Sequence, residues 1–407
     1  MSEGSVPAVF RPLDEFPIFK DGDVIIETKL GNIPQIFQLH SSILARHSMW
    51  FASVFQQDTI DIQPSWYLFK IEEIDSQVKL VRQLAQGERP SLSHTMPTTP
   101  DTTYIKFETG SGSNLQSTTA QKRKFNQAAT ITAYTQLFAA FYNHSPPIST
   151  SSIQLALSHS ETLLRLARNL GCIHLLQPHL SKTFTNYRQT FWEAIAADPP
   201  RWMRLSLYLE DRAIYTECLI HLVGAHPAWP WKTGRRAVPE NVREIVRKKS
   251  AQMKLLVRDV QLELLLVTMS VQVEKGKTRP LNPGLRCDLE SWMVVSVLRE
   301  ETAQWISSME KGQDASLQVG RFFRGIYKGT AKWFQNEYVK EACEKILSTK
   351  WEDLAEDLEM LRKIAKEVVQ EVARNELMID PETCGLGYLT CVKTVDEDIP
   401  WLAARVG

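Results

Sequence analysis

The strongest constraint on this chain is a change of hydrophobic period along its length. Near the start, residues 22–28 (GDVIIET) carry Val24, Ile25 and Ile26 in a row, a short buried-strand signal. Residues 35–40 (QIFQLH) carry a second apolar run, in which Ile36 and either Phe37 or Leu39 alternate imperfectly. The Gly31-Asn32 step between the two runs is a turn signal, so they are expected to pair as a hairpin. Residues 65–74 (SWYLFKIEEI) read as a third strand. From residue 131 onward apolar residues recur every three or four positions, the helical period. Together these signals predict an α+β fold: a small N-terminal sheet flanked by helices, then a mostly α-helical region.

Residues 1–20 hold three prolines and read as an extended lead-in, with order beginning at Asp21. Ser41 or Ser42 is expected to cap a helix that carries Ile43, Leu44, His47, Phe51 and Phe55. Residues 86–127, rich in Ser, Thr, Gln, Gly and Pro, cannot bury enough apolar surface to offset their ordering entropy. They are expected to form a disordered insertion, with one short strand at 104–107 (YIKF) and an exposed basic cluster at Lys122-Arg123-Lys124. An insertion at a surface loop costs little, because closure entropy grows only logarithmically with length. Helices are expected at 131–142, 158–169 and 174–187, and from Phe191 onward only helices. The long one, 242–271, would place Leu255, Leu256, Val260, Leu264, Val267 and Val271 on one stripe. Helices at 290–309 and 352–375 complete a helical domain over 186–375, and residues 376–407 read as a tail.

The text from Asp21 resembles the opening of BTB/POZ domains. That family opens with an Asp-led strand, follows it with a strand ending in an aromatic-x-x-His step, and starts a helix after the His. Here DGDVIIE and FQLHSSILARHSMWFASVF supply Asp23, Phe37 and His40 at those positions, and Leu44, Ser48 and Phe51 in the family's helix rhythm. LFAAFYNHSPPI looks like the later helix, with Tyr142-Asn143 at its end, and residues 163–180 resemble the closing helix pair. The resemblance covers parts of residues 21–185, split by the insertion. Residues 219–231 and 387–401 look like fungal BTB-containing proteins in particular. Read from the residues alone, His40 is expected to donate a ring N–H to a backbone carbonyl, and Asp23 to accept backbone N–H groups at the strand start.

Other constellations point to no chemistry. No GxSxG, Walker loop, HExxH or Rossmann glycine pattern is present, so no enzyme is expected. Cys172, His174 and His179 lack a fourth ligand and zinc-like spacing, His221 and His226 fail in the same way, and no cofactor or metal is expected. Lys+Arg and Asp+Glu are equal at 47 each, which argues against nucleic acid as the main partner. Arg321, Arg324, Lys328 and Lys332 beside Phe322, Phe323, Trp333 and Phe334 fit an amphipathic helix with a basic solvent face, with RNA binding the alternative. The pairing of Arg235-Arg236 with Arg247-Lys248-Lys249 is spaced like a bipartite nuclear import signal. The opening residues carry no secretory pattern and no run is long enough to span a membrane, so an intracellular, cytoplasmic or nuclear chain with reduced cysteines is expected.

The expected function is a non-enzymatic protein-interaction adaptor or scaffold, tied to transcription or to a ubiquitin ligase. By the resemblance, self-association would use residues 21–55, giving an isologous homodimer with Ile43, Trp50, Phe51 or Val54 near the two-fold. Many BTB repressors carry a basic residue after the His, and this chain has Ser41, which weakens a charged corepressor pocket. A cullin is possible as a partner but no motif for one is legible. The alternatives are a nucleic-acid-linked regulator using the basic helices after residue 232, and a structural subunit whose BTB fold binds nothing.

Overall fold

The computed structural model describes residues 16–28, 30, 35–56, 66–74, 77–83, 119–148, 151–310, 315–331, 337, 339–341 and 351–406. The chain is α+β and divides into two compact units, Met1–Arg188 and Gln189–Gly407.

Unit 1 is built on a four-stranded sheet of β1 (Val24–Thr28), β2 (Gln35–Leu39), β3 (Tyr67–Ile74) and β4 (Gln77–Gln83) in the order β2-β1-β3-β4. β1 is antiparallel to β2 and parallel to β3. Parallel neighbours need a crossover of a dozen or more residues, and the helices α1 (Ser41–His47) and α2 (Met49–Gln56) lie within it. The register sets Phe37, Ile26 and Phe69 side by side across three strands. Phe37 meets Phe138 edge-on at 5.0 Å, and Phe69 meets Phe51 at 5.6 Å, so this row is the core that the helices close over.

Order begins earlier than Asp21. Ile18 bridges Gln38 in parallel fashion, and Phe19, 1% exposed, stacks on Tyr142 at 4.6 Å. The lead-in is thus laid along the outer edge of β2. Gly22 lets it turn back: a Cβ there would sit 2.8 Å from the Leu39 carbonyl oxygen. Neither Ser41 nor Ser42 caps α1. His40 is the cap residue, with no side-chain cap bond, and Asp23 takes over that work from a neighbouring strand. β4 had no forecast from the sequence. The 104–107 strand and the Gly31-Asn32 turn fall outside the described residues.

The unit continues with α3 (Thr119–Phe141), α4 (Ile153–Asn169) and α5 (Gln177–Thr185). α3 takes in residues 119–127, which corrects the C-terminal limit of the expected insertion and puts Lys122-Arg123-Lys124 on a helix.

Unit 2 packs α6 (Gln189–Ala197), α7 (Pro199–Leu209), α8 (Arg212–Ala225), α9 (Glu240–Leu266), α10 (Leu289–Glu310), α11 (Val319–Lys328), α12 (Trp351–Val369) and the short α13 (Pro400–Val406). It is not helical throughout. β5 (Ser270–Glu274) and β6 (Lys277–Pro280) form a hairpin inside the region expected to be all helix. α9 therefore stops at Leu266, and Val271 belongs to a strand. α8 is buried on nearly every side, from Glu217 through Ala225. Its N-cap is Asp211, whose carboxylate accepts the Ile214 N–H at 3.1 Å.

Residues 376–406, expected as a tail, are built into this unit. The Met378 N–H donates to both carboxylate oxygens of Glu217, and the Tyr215 hydroxyl donates to the Asp398 carbonyl at 2.7 Å. Arg324 corrects the expected basic solvent face of α11. It is 3% exposed, and its guanidinium donates to Glu382 at 2.7 Å and to the carbonyls of Tyr388 and Leu386. Lys332, Trp333 and Phe334 fall outside the described residues.

Candidate interaction surface

The six signature residues of the sequence converge on the strand-to-helix junction of unit 1. Asp23 stands one residue before β1, and Ser41 opens α1. One Asp23 oxygen accepts the Ser41 N–H at 2.7 Å and the other accepts the Ser41 hydroxyl at 2.5 Å. The first turn of a helix has backbone donors with no partner inside the helix, and a carboxylate there is favoured by the helix dipole as well. Asp23 accepts at the helix start rather than at its own strand, and Ser41 is its partner where a basic residue would have made an ion pair.

His40 does not bond a backbone carbonyl. Its Nδ1 lies 3.0 Å from the Tyr142 hydroxyl and its Nε2 lies 3.1 Å from an Asp21 oxygen. The His40 N–H also donates to that hydroxyl at 3.0 Å. Tyr142 thus fastens the residues after α3 to the junction, a role the sequence did not disclose, because its partner lies about a hundred residues earlier.

Leu44, Ser48 and Phe51 share the next step. Ser48 is extended and separates the two helices. Its hydroxyl donates to the Leu170 carbonyl at 2.5 Å and accepts the Phe51 N–H at 3.1 Å, so it caps α2 and ties down the end of α4. Leu44 and Phe51 are 0% exposed. Phe51 is therefore withdrawn from the expected dimer interface: its ring is enclosed by Phe55, Phe69 and Phe141. Ile43, Trp50 and Val54 remain half-buried, and Met49, which precedes Trp50 in the chain, is 77% exposed. Met49 is the residue that sequence reading overlooked. Its exposure follows from being the first residue of α2, which no pattern count would flag. Trp50 is held edge-on against Phe51 at 4.9 Å, so the surface is pre-ordered from below.

The remaining sequence candidates serve the fold. Cys172 is buried and its thiol is pushed up to about 12 by burial, while His179 bonds Ser145 at 2.9 Å. No metal-holding group of three or more ligands occurs among the described residues. In the basic pair of clusters, Arg236 and Lys248 are exposed. Arg235 covers the Trp229 ring and Arg247 pairs with Glu240 and Glu244. Lys249, 14% exposed, binds Asp398 at 2.7 Å and the Lys393 carbonyl. Lys249 would have to leave these partners before it could be read as part of an extended signal.

A second polar cluster lies inside unit 2. The His221 ring meets the Tyr388 hydroxyl at 2.6 Å, and its other nitrogen lies 3.9 Å from Glu217. Burial pushes Glu217 up to about 7 and His221 down to about 3.

No helix among the described residues is long and apolar enough to cross a membrane. No protein-family model, curated protein or solved structure matches this chain.

Proposed function

We propose that the chain is a non-enzymatic protein-interaction adaptor whose unit 1 is a BTB/POZ-like module and whose binding face is the outer side of α1 and α2. One observation carries the reading. Asp23, His40, Leu44, Ser48 and Phe51 are all consumed in fastening the sheet to the helix pair, while Met49 is left exposed and Ile43, Trp50 and Val54 half-buried on α1 and α2. Exposed apolar side chains on a pre-ordered surface are what a protein partner needs, because little ordering entropy is lost on binding. Two strands followed by a helix pair that starts after His40 is the order that the BTB resemblance implies, and this supports the reading.

The partner on this reading is first a second copy of the chain, related by a two-fold through α2. A charged corepressor pocket is disfavoured, since the Asp23 carboxylate is already taken by Ser41. Cullin recruitment and a transcriptional role belong to the same reading without a motif of their own, and a nuclear location rests on the Arg235-Arg236 and Arg247-Lys248-Lys249 pairing alone.

The test is light scattering of the full chain over a concentration series, with Met49→Asp as the variant. The expected result is self-association that the variant weakens, with unchanged circular dichroism. A weight that does not respond to Met49→Asp contradicts this face as the contact. Affinity purification with the same two proteins, probed for a cullin, then decides between self-association alone and recruitment.

A further inference from the structure

α9 carries apolar residues on two opposite sides, and among the described residues only one side packs against a core. Val260 and Leu264 are buried, and Met253, Leu256 and Val257 pack against the same core. Leu255, Leu262 and Leu266 point the other way and are 64%, 51% and 72% exposed. This corrects the expectation that Leu255 shares the stripe of Leu256 and Val260. At 100° per residue, Leu262 and Leu266 fall within about 20° of Leu255 around the helix, so the three make one outward seam. A seam of leucines along a surface helix is uncommon without a covering partner.

The charges beside the seam say which partner fits. Lys254 and Arg258 lie along one flank, and Asp259 and Glu263 lie along the other. None of the four makes an ion pair with another described residue. One flank is thus basic and the other acidic. Two copies of the helix packed side by side in the same direction bring the basic flank of each against the acidic flank of the other. Packed in opposite directions, like flanks would meet. Each cation also precedes an anion of the other flank by the same interval, 254 to 259 and 258 to 263, which suits pairing across parallel helices.

We propose that α9 is a second self-association site, at which two chains pair their α9 helices in parallel through Leu255, Leu262 and Leu266. Lys254 and Arg258 of each chain then face Asp259 and Glu263 of the other. The site is separate from the face assigned to unit 1 and does not depend on it.

The experiment is sedimentation velocity of the full chain at concentrations up to about 100 μM, for the wild type and for variants in each face. Leu262→Asp is exposed, so folding should be kept, and it should raise the dissociation constant at least about tenfold. Arg258→Glu alone should weaken pairing by several fold, and adding Glu263→Arg should restore it to near the wild-type value, a rescue that a nonspecific apolar contact would not show. Parallel packing brings residue 255 of each chain together, so Leu255→Cys treated with diamide, which takes up the two electrons and two protons of the thiols, should form a 255–255 disulfide located by peptide mass. In an antiparallel pair that link would be missing. Met49→Asp should leave all of these results intact. If Leu262→Asp leaves the mass unchanged, if the double charge reversal fails to rescue, or if the 255–255 link does not form, the α9 proposal is overturned whatever becomes of unit 1.

Discussion

Each unit contains a cluster of carboxylate, imidazole and phenol groups, and the two clusters differ in how much water reaches them. In unit 1 the His40 and Asp21 side chains are 13% and 54% exposed. Solvent reaches both side chains, and the cluster's work is to orient backbone: it starts α1 and fastens Tyr142. In unit 2 the Glu217 and His221 side chains are 2% and 0% exposed. There the same residue types must settle their charge between themselves. In the unfolded chain near pH 5.5 a glutamate is ionised and a histidine carries the proton. Inside unit 2, burial raises Glu217 to about 7 and lowers His221 to about 3, so the proton resides on the carboxyl and the ring is neutral. The pair holds one proton in both states and moves it from ring to carboxyl on folding.

That contrast can be broken most forcefully at the backbone. Gly320 on α11 faces the Tyr388 carbonyl so closely that any Cβ would collide with it. Gly320→Ala should cost more than about 4 kcal/mol and unfold unit 2. Gly22→Ala, with its 2.8 Å approach to the Leu39 oxygen, should cost less, about 1–3 kcal/mol, and act on unit 1 alone. Urea unfolding followed by amide exchange in each unit separates the two. Equal costs would remove the distinction between a rim and an interior.

Arg324→Met comes next. It leaves Glu382 and the Tyr388 and Leu386 carbonyls without their donor, and should destabilise unit 2 by about 3–5 kcal/mol. A loss under about 1 kcal/mol in urea midpoints would show that water replaces the guanidinium there.

The shared proton makes a sharper test. A raised Glu217 alone gives stability that is present below pH 4.5 and lost as pH climbs to about 7. A lowered His221 alone gives the opposite slope between about 3 and 6.5. In the wild type the two slopes cancel from pH 4.5 to 6.5, and unit 2 should show little pH dependence from this pair. His221→Gln should expose a fall in stability with rising pH, and Glu217→Gln a rise, each approaching 1.4 kcal/mol per pH unit at most. Tyr388, Cys218 and the Met378 N–H face the pair and are common to all three proteins. Parallel stability curves for the three would refute the proton exchange.

Ser41→Ala should have the smallest effect. It removes one hydroxyl from Asp23 but leaves the backbone N–H in place, so about 1 kcal/mol of unit 1 stability is expected. A cost as large as that of Arg324→Met would mean that the junction is as dry as the interior of unit 2.

The sequence disclosed local features well and distant ones poorly. β1, β2, β3 and most helices follow from period and turn signals that lie within a dozen residues of each other. Ser48 was legible as part of a rhythm, and its physical reason, a cap for α2 and an anchor for Leu170, required the fold. Tyr142, Glu217, Arg324 and Tyr388 were not legible as a group, because each has its partner tens to more than a hundred residues away. The β5–β6 hairpin was missed although Met269, Val271 and Val273 alternate with polar residues, because Val267 and Val271 also fit the helical spacing of the run before them. On α9 the inward and outward leucines are adjacent in sequence, and pattern counting merged two faces into one.

The central claim is that α1 and α2 of unit 1 present a protein-binding face. Amide hydrogen exchange of the full chain, compared across a hundredfold dilution, tests it directly. Amides of Met49–Gln56 are expected to exchange more slowly as concentration rises, and Met49→Asp to abolish this change. Concentration-dependent protection that spares Met49–Gln56 would contradict it.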